Sequence, residues 1–250
     1  MSRTLPPWIR GVRAAAVFLT RVPFGGFPYA AADWRWCSAY FPLIGAALGV
    51  VLANVWYLAM PLGAPAAAVI VLVTSVLLTG GFHEDGLADS VDALGGGYDR
   101  QRVLEILKDS RIGTFGALAL ILSLGLRVCL LVALGPHAPV ALVVSQCASR
   151  LPPVWMMLAM PYVTGGASKS RDVTRAQWPQ ALVATFTAVA MALWLLPPIQ
   201  VGGAAMLAAV ATIFLAWRFM RRVGGITGDF LGATQQVVEC VLLAALLWFG

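Results

Sequence analysis

Residues 80–116 read GGFHEDGLADSVDALGGGYDRQRVLEILKDSRIGTFG and hold seven of the eleven acidic residues in a chain of 250. The acids are Glu84, Asp85, Asp89, Asp92, Asp99, Glu105 and Asp109, with the basic residues Arg100, Arg102, Lys108 and Arg111 among them. To either side the sequence is nearly pure hydrocarbon. The whole chain is 60% hydrophobic and 11% charged, with a mean hydropathy of +0.84. Soluble domains carry about 25% charged residues, so this composition belongs to a polytopic membrane protein. In lipid every backbone N–H and C=O must be satisfied within its own segment, and the apolar runs lack the alternation of barrel strands. The expected fold is therefore an all-α polytopic bundle.

Outward from the acidic stretch, the apolar runs predict membrane passes at about 37–60, 66–82, 115–134, 138–160, 180–196 and 204–217, and a last one reaching Trp248. This is a bundle of about seven transmembrane helices in one integral-membrane domain, 1–250. Residues 1–36 are cytoplasmic or interfacial: WIRGVRAAAVFLTRV is too short and too charged to span, and reads as an interfacial helix in preference to a signal peptide. Pro152 and Pro153 should kink the fourth pass beside Arg150. Lys and Arg number five, four, three and three in 1–36, 83–114, 161–179 and 218–230, and the other connections have none. The positive-inside rule then puts the N-terminus and the 83–114 acidic loop in the cytoplasm, in a cell inner membrane, with the C-terminus outside. The net charge of +6 reflects this topology and no nucleic-acid groove. Four scattered cysteines show neither metal spacing nor a disulfide framework.

Asp85, Asp89 and Asp92 fall at i, i+4 and i+7, one face of a helix continuing from the second pass, where like charges repel. The stretch is either a solvated loop or a metal site. An all-oxygen donor set suits Mg²⁺, with Mn²⁺ as the alternative, and such ions complete their shell with water and substrate phosphate. Arg100, Arg102, Lys108 and Arg111 would meet that phosphate. His83 reads as a helix-end polar residue or as a base. Asp229 reads as a cap or as a carboxylate closing the metal site. Arg127 and Arg150, inside apolar runs, call for a partner or a polar cavity, and Glu239 is a candidate partner for either.

The chain resembles the cobalamin-5′-phosphate synthase family, also called adenosylcobinamide-GDP ribazoletransferase. The resemblance rests on TGGFHEDGLADSVDAL (79–94) and LEILKDSRIGTFGALAL (104–120). FLTRVPFG (18–25), YFPLIGAALG (40–49), Ser149-Arg150 and GGITGDFLGATQQ (224–236) are weaker echoes in the same order. It implies a Mg²⁺-dependent membrane transferase that joins adenosylcobinamide-GDP to α-ribazole or its 5′-phosphate and releases GMP during nucleotide-loop assembly of vitamin B12. It implies an acidic core of Asp85 and Asp89 followed by Asp92, with Lys108, Asp109, Ser110 and Arg111 in the second motif. The expected catalytic residues are then Asp85, His83 and Asp89. Lys108, Arg111, Arg102, Arg150 and Ser110 would bind substrate, and Asp85, Asp89, Asp92, Asp109 and Asp229 the metal. The lipid bilayer and either a second copy or other B12-assembly enzymes are the further partners. Glu84 departs from the family pattern, in which an apolar residue is expected there; it reads as an outer acid behind the metal or as a residue facing water. The rival readings are another membrane phospho-alcohol transferase, or a transporter with acids on broken helices at mid-membrane.

Overall fold

A computed structural model describes residues 6–25, 29–163 and 176–250, and among these the regular structure is helical. The helices are α1 (Pro7–Leu19), α2 (Ala31–Cys37), α3 (Phe41–Ala59), α4 (Ala64–Thr79), α5 (Phe82–Gly96) and α6 (Arg100–Ile106). There follow α7 (Thr114–Leu134), α8 (Ala138–Ala148), α9 (Leu151–Ala159), α10 (Trp178–Leu195), α11 (Pro198–Val223) and α12 (Gly228–Phe249). Five stretches are long and apolar enough to cross a membrane, or six if the bent pair α4–α5 counts as one. The longest, Thr114–Ala159, spans 46 residues. As one straight helix it would reach roughly 69 Å against a hydrocarbon core of about 30 Å, so it must turn back. It does so at the 3₁₀ turn Gly135–His137.

The second pass does not continue straight into the acidic stretch. Gly80 and Gly81 have φ of +72° and +68°, and the chain turns by 91° between α4 and α5. Two consecutive left-handed residues suit glycine, because a Cβ there meets the backbone. What the sequence suggests as a cytoplasmic loop is thus a 15-residue helix followed by the short α6. α5 runs back along the starts of α7 and α12. Asp92 meets Gly113 and Gly116, and eight residues earlier Glu84 meets Arg127, about 20 Å along α7. The fourth pass breaks at Ser149–Arg150, and α9 restarts with Pro at its first turn, where the missing N–H is harmless.

The close pairing of α3 with α8 rests on Gly45 and Gly49. A Cβ on Gly45 would strike the Gln146 carbonyl, and one on Gly49 would lie 2.6 Å from the Val143 Cα. Four-residue spacing puts both on one face, the small-residue contact that lets membrane helices touch backbone to backbone. The basic connections gather at one end of the bundle. Arg100 donates to the Val223 carbonyl (2.8 Å), Arg222 to Gly97, and Tyr162 bridges to Ile226. At the opposite end His137, Pro197, Gln200 and Gly250 line one recess free of Lys and Arg. The basic residues of 164–175 and Arg3 lie outside the described residues.

The packing predicts that Gly49→Leu forces α3 from α8 and destabilises the protein by about 1–3 kcal/mol, as overpacked cores do. A melting temperature in detergent unchanged from wild type would contradict this.

Candidate active site

The acid face of α5 meets different neighbours along its length. Asp92, near its C-terminal end, is buried, and its two carboxylate oxygens accept the N–H groups of Gly113 (2.7 Å) and Gly116 (2.8 Å). It caps the start of α7, whose first N–H groups otherwise lack partners. Gly113 and Gly116 have to be glycine for this, since a Cβ on either would run into the Asp92 carboxylate. One turn back Asp89 is half-buried, and beyond it Asp85 is exposed. Gly86 brings this part of α5 against α12, where a Cβ would lie 2.9 Å from the Asp229 carbonyl. Asp85, Asp89 and Asp229 thereby lie close enough for their charges to act on one another. None of the three has an ion-pair partner among the described residues.

Beside them opens a cavity of about 280 Å³. Phe18, Phe41, Phe82, Met157 and Leu231 form its apolar wall, and His83, Arg150, Thr227, Asp229 and Gln235 its polar one. His83 is 5% exposed and makes no hydrogen bond among the described residues. Arg150, 2% exposed, is held from behind by the carbonyl (2.6 Å) and side-chain oxygen (2.8 Å) of Gln146. A second cavity of about 370 Å³ has walls such as Val144, Ala188, Ala204 and Leu242 and no charged group.

Behind the cavity lies a sealed polar layer. Arg127 of α7 reaches Glu84 of α5 (3.4 Å) and Glu239 of α12 (3.3 Å). Gln236 donates to Glu84 (3.2 Å), and Gln235 to Glu239 (2.8 Å) and to Ser149 (3.0 Å). Glu239 is therefore the partner of Arg127, as the sequence suggests, and the unexpected acid Glu84 is the other.

A family model described as cobalamin-5-phosphate synthase matches residues 11–247. The chain belongs to that family. It is 40% identical over 244 residues to the adenosylcobinamide-GDP ribazoletransferase of Ralstonia pickettii (strain 12J), with 93% of each chain covered. It is 39% identical over 240 residues to the protein of that name from Shewanella piezotolerans, again covering 93% of each. The corresponding Sinorhizobium protein is 38% identical, with 92% of each covered. No solved structure matches the chain.

As a member of the cobalamin-5-phosphate synthase family, the chain carries two motifs that fold into different settings. Asp85 and Asp89 come together with Asp229, while Asp92 is committed to α7. Among the described residues no three His, Cys, Asp or Glu side chains form a ready-made metal cage. The second motif stays on the surface. Lys108, Ser110 and Arg111 are exposed, Arg102 pairs with Glu105 (3.2 Å), and Arg111 grips Asp109 through a shortest contact of 2.6 Å. The segment flanks the carboxylates through the Asp92 link and does not line the cavity. Sequence reasoning assigned no role to Phe18, Phe41, Phe82 and Met157, although FLTRVPFG, YFPLIG and TGGFHEDGLADSVDAL contain the three phenylalanines.

Removing Arg127 as Arg127→Met leaves two buried carboxylates facing each other and should cost about 3–5 kcal/mol, read as a lower melting temperature in detergent. The Arg111 side chain and backbone hold Asp109 down at about 2. That contribution is present above the ordinary value of about 3.9 and lost as pH falls through about 2. Arg111→Gln should return the titration of Asp109 toward about 4, followed by carbon-13 NMR of the carboxyl.

Proposed function

We propose that the chain is an adenosylcobinamide-GDP ribazoletransferase: it joins adenosylcobinamide-GDP to α-ribazole or α-ribazole 5′-phosphate and releases GMP. The observation that carries this is a family match over nearly the whole chain that coincides with carboxylates lacking ion-pair partners beside a largely apolar cavity with one polar wall. A ribose hydroxyl oxygen attacks the phosphorus nearer the corrinoid. A new P–O bond forms, the bond to the bridging oxygen breaks, and GMP leaves with that oxygen.

The donor set fits Mg²⁺, which takes one or two carboxylates and leaves the rest of its shell to water and phosphate. Asp85, Asp89 and Asp229 would hold it, since like charges gathered without a cation partner are otherwise unfavourable. Asp92 and Asp109 fit less well, each already bonded elsewhere. When bound, the ion supplies neutralising charge to the diphosphate oxygens. The remaining work falls to the chain itself. Arg150, backed by Gln146, presents a fixed positive charge in the cavity wall. His83, unbonded and facing the cavity, takes the hydroxyl proton on an imidazole nitrogen. Arg102, Lys108 and Arg111 meet the outer, guanosine side of the diphosphate from the surface. By the positive-inside rule this end of the bundle faces the cytoplasm of an inner membrane.

GMP release by the reconstituted protein tests the reading. Asp85→Asn should lower it at least about a hundredfold while the protein still folds, as loss of a charge-stabilising group does. Asp89→Asn should raise the Mg²⁺ needed for half activity by about 10–100-fold, and Asp92→Asn should lower the melting temperature without moving that midpoint. Full activity in Asp85→Asn, or full activity in excess chelator, would sink the assignment.

A further inference from the structure

The two substrates of the proposed reaction differ sharply in size and polarity. Adenosylcobinamide-GDP brings a corrin macrocycle and a guanine rich in hydrogen-bonding groups. α-Ribazole brings a ribose and a fused two-ring base whose edge carries methyl groups. We infer that the cavity between α1, α3, α5, α9 and α12 binds the fused aromatic base of α-ribazole; the inference rests on the transferase reading above.

Volume decides first. About 280 Å³ accommodates a two-ring base and part of a ribose, and the corrin macrocycle with its amide side chains cannot enter. The walls decide between the two bases. Phe18 stacks on Phe41 with centroids 5.6 Å apart and planes within 3°, and meets Phe82 edge-on at 5.4 Å. Aromatic rings in stacked and edge-on pairs favour another flat ring beside them, and Met157 adds an adaptable sulfur surface. Guanine on these walls would leave its N–H and C=O groups without partners, at the usual cost of burying unbonded polar atoms. A methylated benzimidazole has no N–H or C=O, and its one ring-nitrogen acceptor can turn toward the polar wall of Thr227, Arg150 and Gln235.

Polarity then fixes the orientation. His83 is almost fully buried, has no hydrogen-bond partner among the described residues, and stands in the wall with Thr227, Asp229 and Arg150. A buried imidazole of this kind calls for a polar group on whatever fills the space. With the base against the phenylalanines, the ribose lies toward His83 and Asp229, and its hydroxyls emerge at the carboxylates of α5.

The test uses full-length protein in lipid nanodiscs, GMP release as readout, and each substrate varied separately. Met157→Trp fills the cavity and should raise the KM for α-ribazole at least about tenfold, with the KM for adenosylcobinamide-GDP moving less than about twofold. Most of that loss should return with the nucleoside of unmethylated benzimidazole, which is smaller. Phe41→Leu, which removes a ring and adds no bulk, should raise the same KM about threefold and covers the case in which Met157→Trp fails to fold. If both KM values rise together, if only the corrinoid's rises, or if neither moves because a lipid chain fills the space, the assignment of the cavity is wrong. Binding of α-ribazole is followed in parallel by its own fluorescence. Wild-type protein that binds the nucleoside and releases no GMP would overturn the transferase reading and leave this site standing.

Discussion

Charge inside hydrocarbon has to be matched, and the match here is Arg127 between Glu84 and Glu239. All three are buried, and they belong to α7, α5 and α12. An isolated ion at this depth is costly, and two carboxylates without the guanidinium would be worse. Arg150 lies near enough for its charge to act on both glutamates, so two cations face two anions in one layer. The pairing gives α5, the most polar of the longer helices, a reason to sit within the bundle. With Glu84 anchored, the next residue, Asp85, is carried past the seal to where water begins.

The break at Gly80–Gly81 provides the remaining geometry. A straight continuation of α4 would carry the acidic residues onward along its own axis and away from α7 and α12. The 91° turn instead returns α5 between α7 and α12, so that the first turns of α5 and α12 both border the cavity. Helix N-termini carry partial positive charge, and Arg150 adds a full one. The inner wall is thus positive and the outer rim of Asp85, Asp89 and Asp229 negative. That polarity suits a phosphorus centre reached from inside by a hydroxyl and from outside by a cation.

Much of this was legible in the sequence, for physical reasons that also mark its limits. Apolar runs specify passes because lipid leaves no water for unpaired backbone groups. The i, i+4, i+7 spacing correctly puts Asp85, Asp89 and Asp92 on one face of a helix, but a face about 10 Å long meets several neighbours. Asp92 fell opposite the open N–H groups of α7 and became a cap; the spacing contains no information about what stands across from it. Glu84 looked like a stray acid because its partner lies 43 residues away in Arg127. The phenylalanines of the cavity come from α1, α3 and α5, and no local pattern relates them. The Gly45–Gly49 contact went unread, although its four-residue spacing is of the kind that lets membrane helices pack closely.

A broken helix with a buried acid is also how transporters are built, so the choice between transport and catalysis has to come from the charges themselves. In a transporter the acids that matter sit at mid-membrane, exposed in turn to each side. Here the buried acids, Glu84 and Glu239, are held against Arg127, and neither lines the cavity beside Asp229. The carboxylates that remain free are displaced toward the basic end, where Asp85 is already exposed. The buried layer of Arg127, Glu84 and Glu239, joined by Gln235, lies between them and the far half of α7 and α12. Carboxylates without ion-pair partners at one end, backed by a buried layer of matched charge, are the arrangement a one-sided site would need, and that favours catalysis over transport.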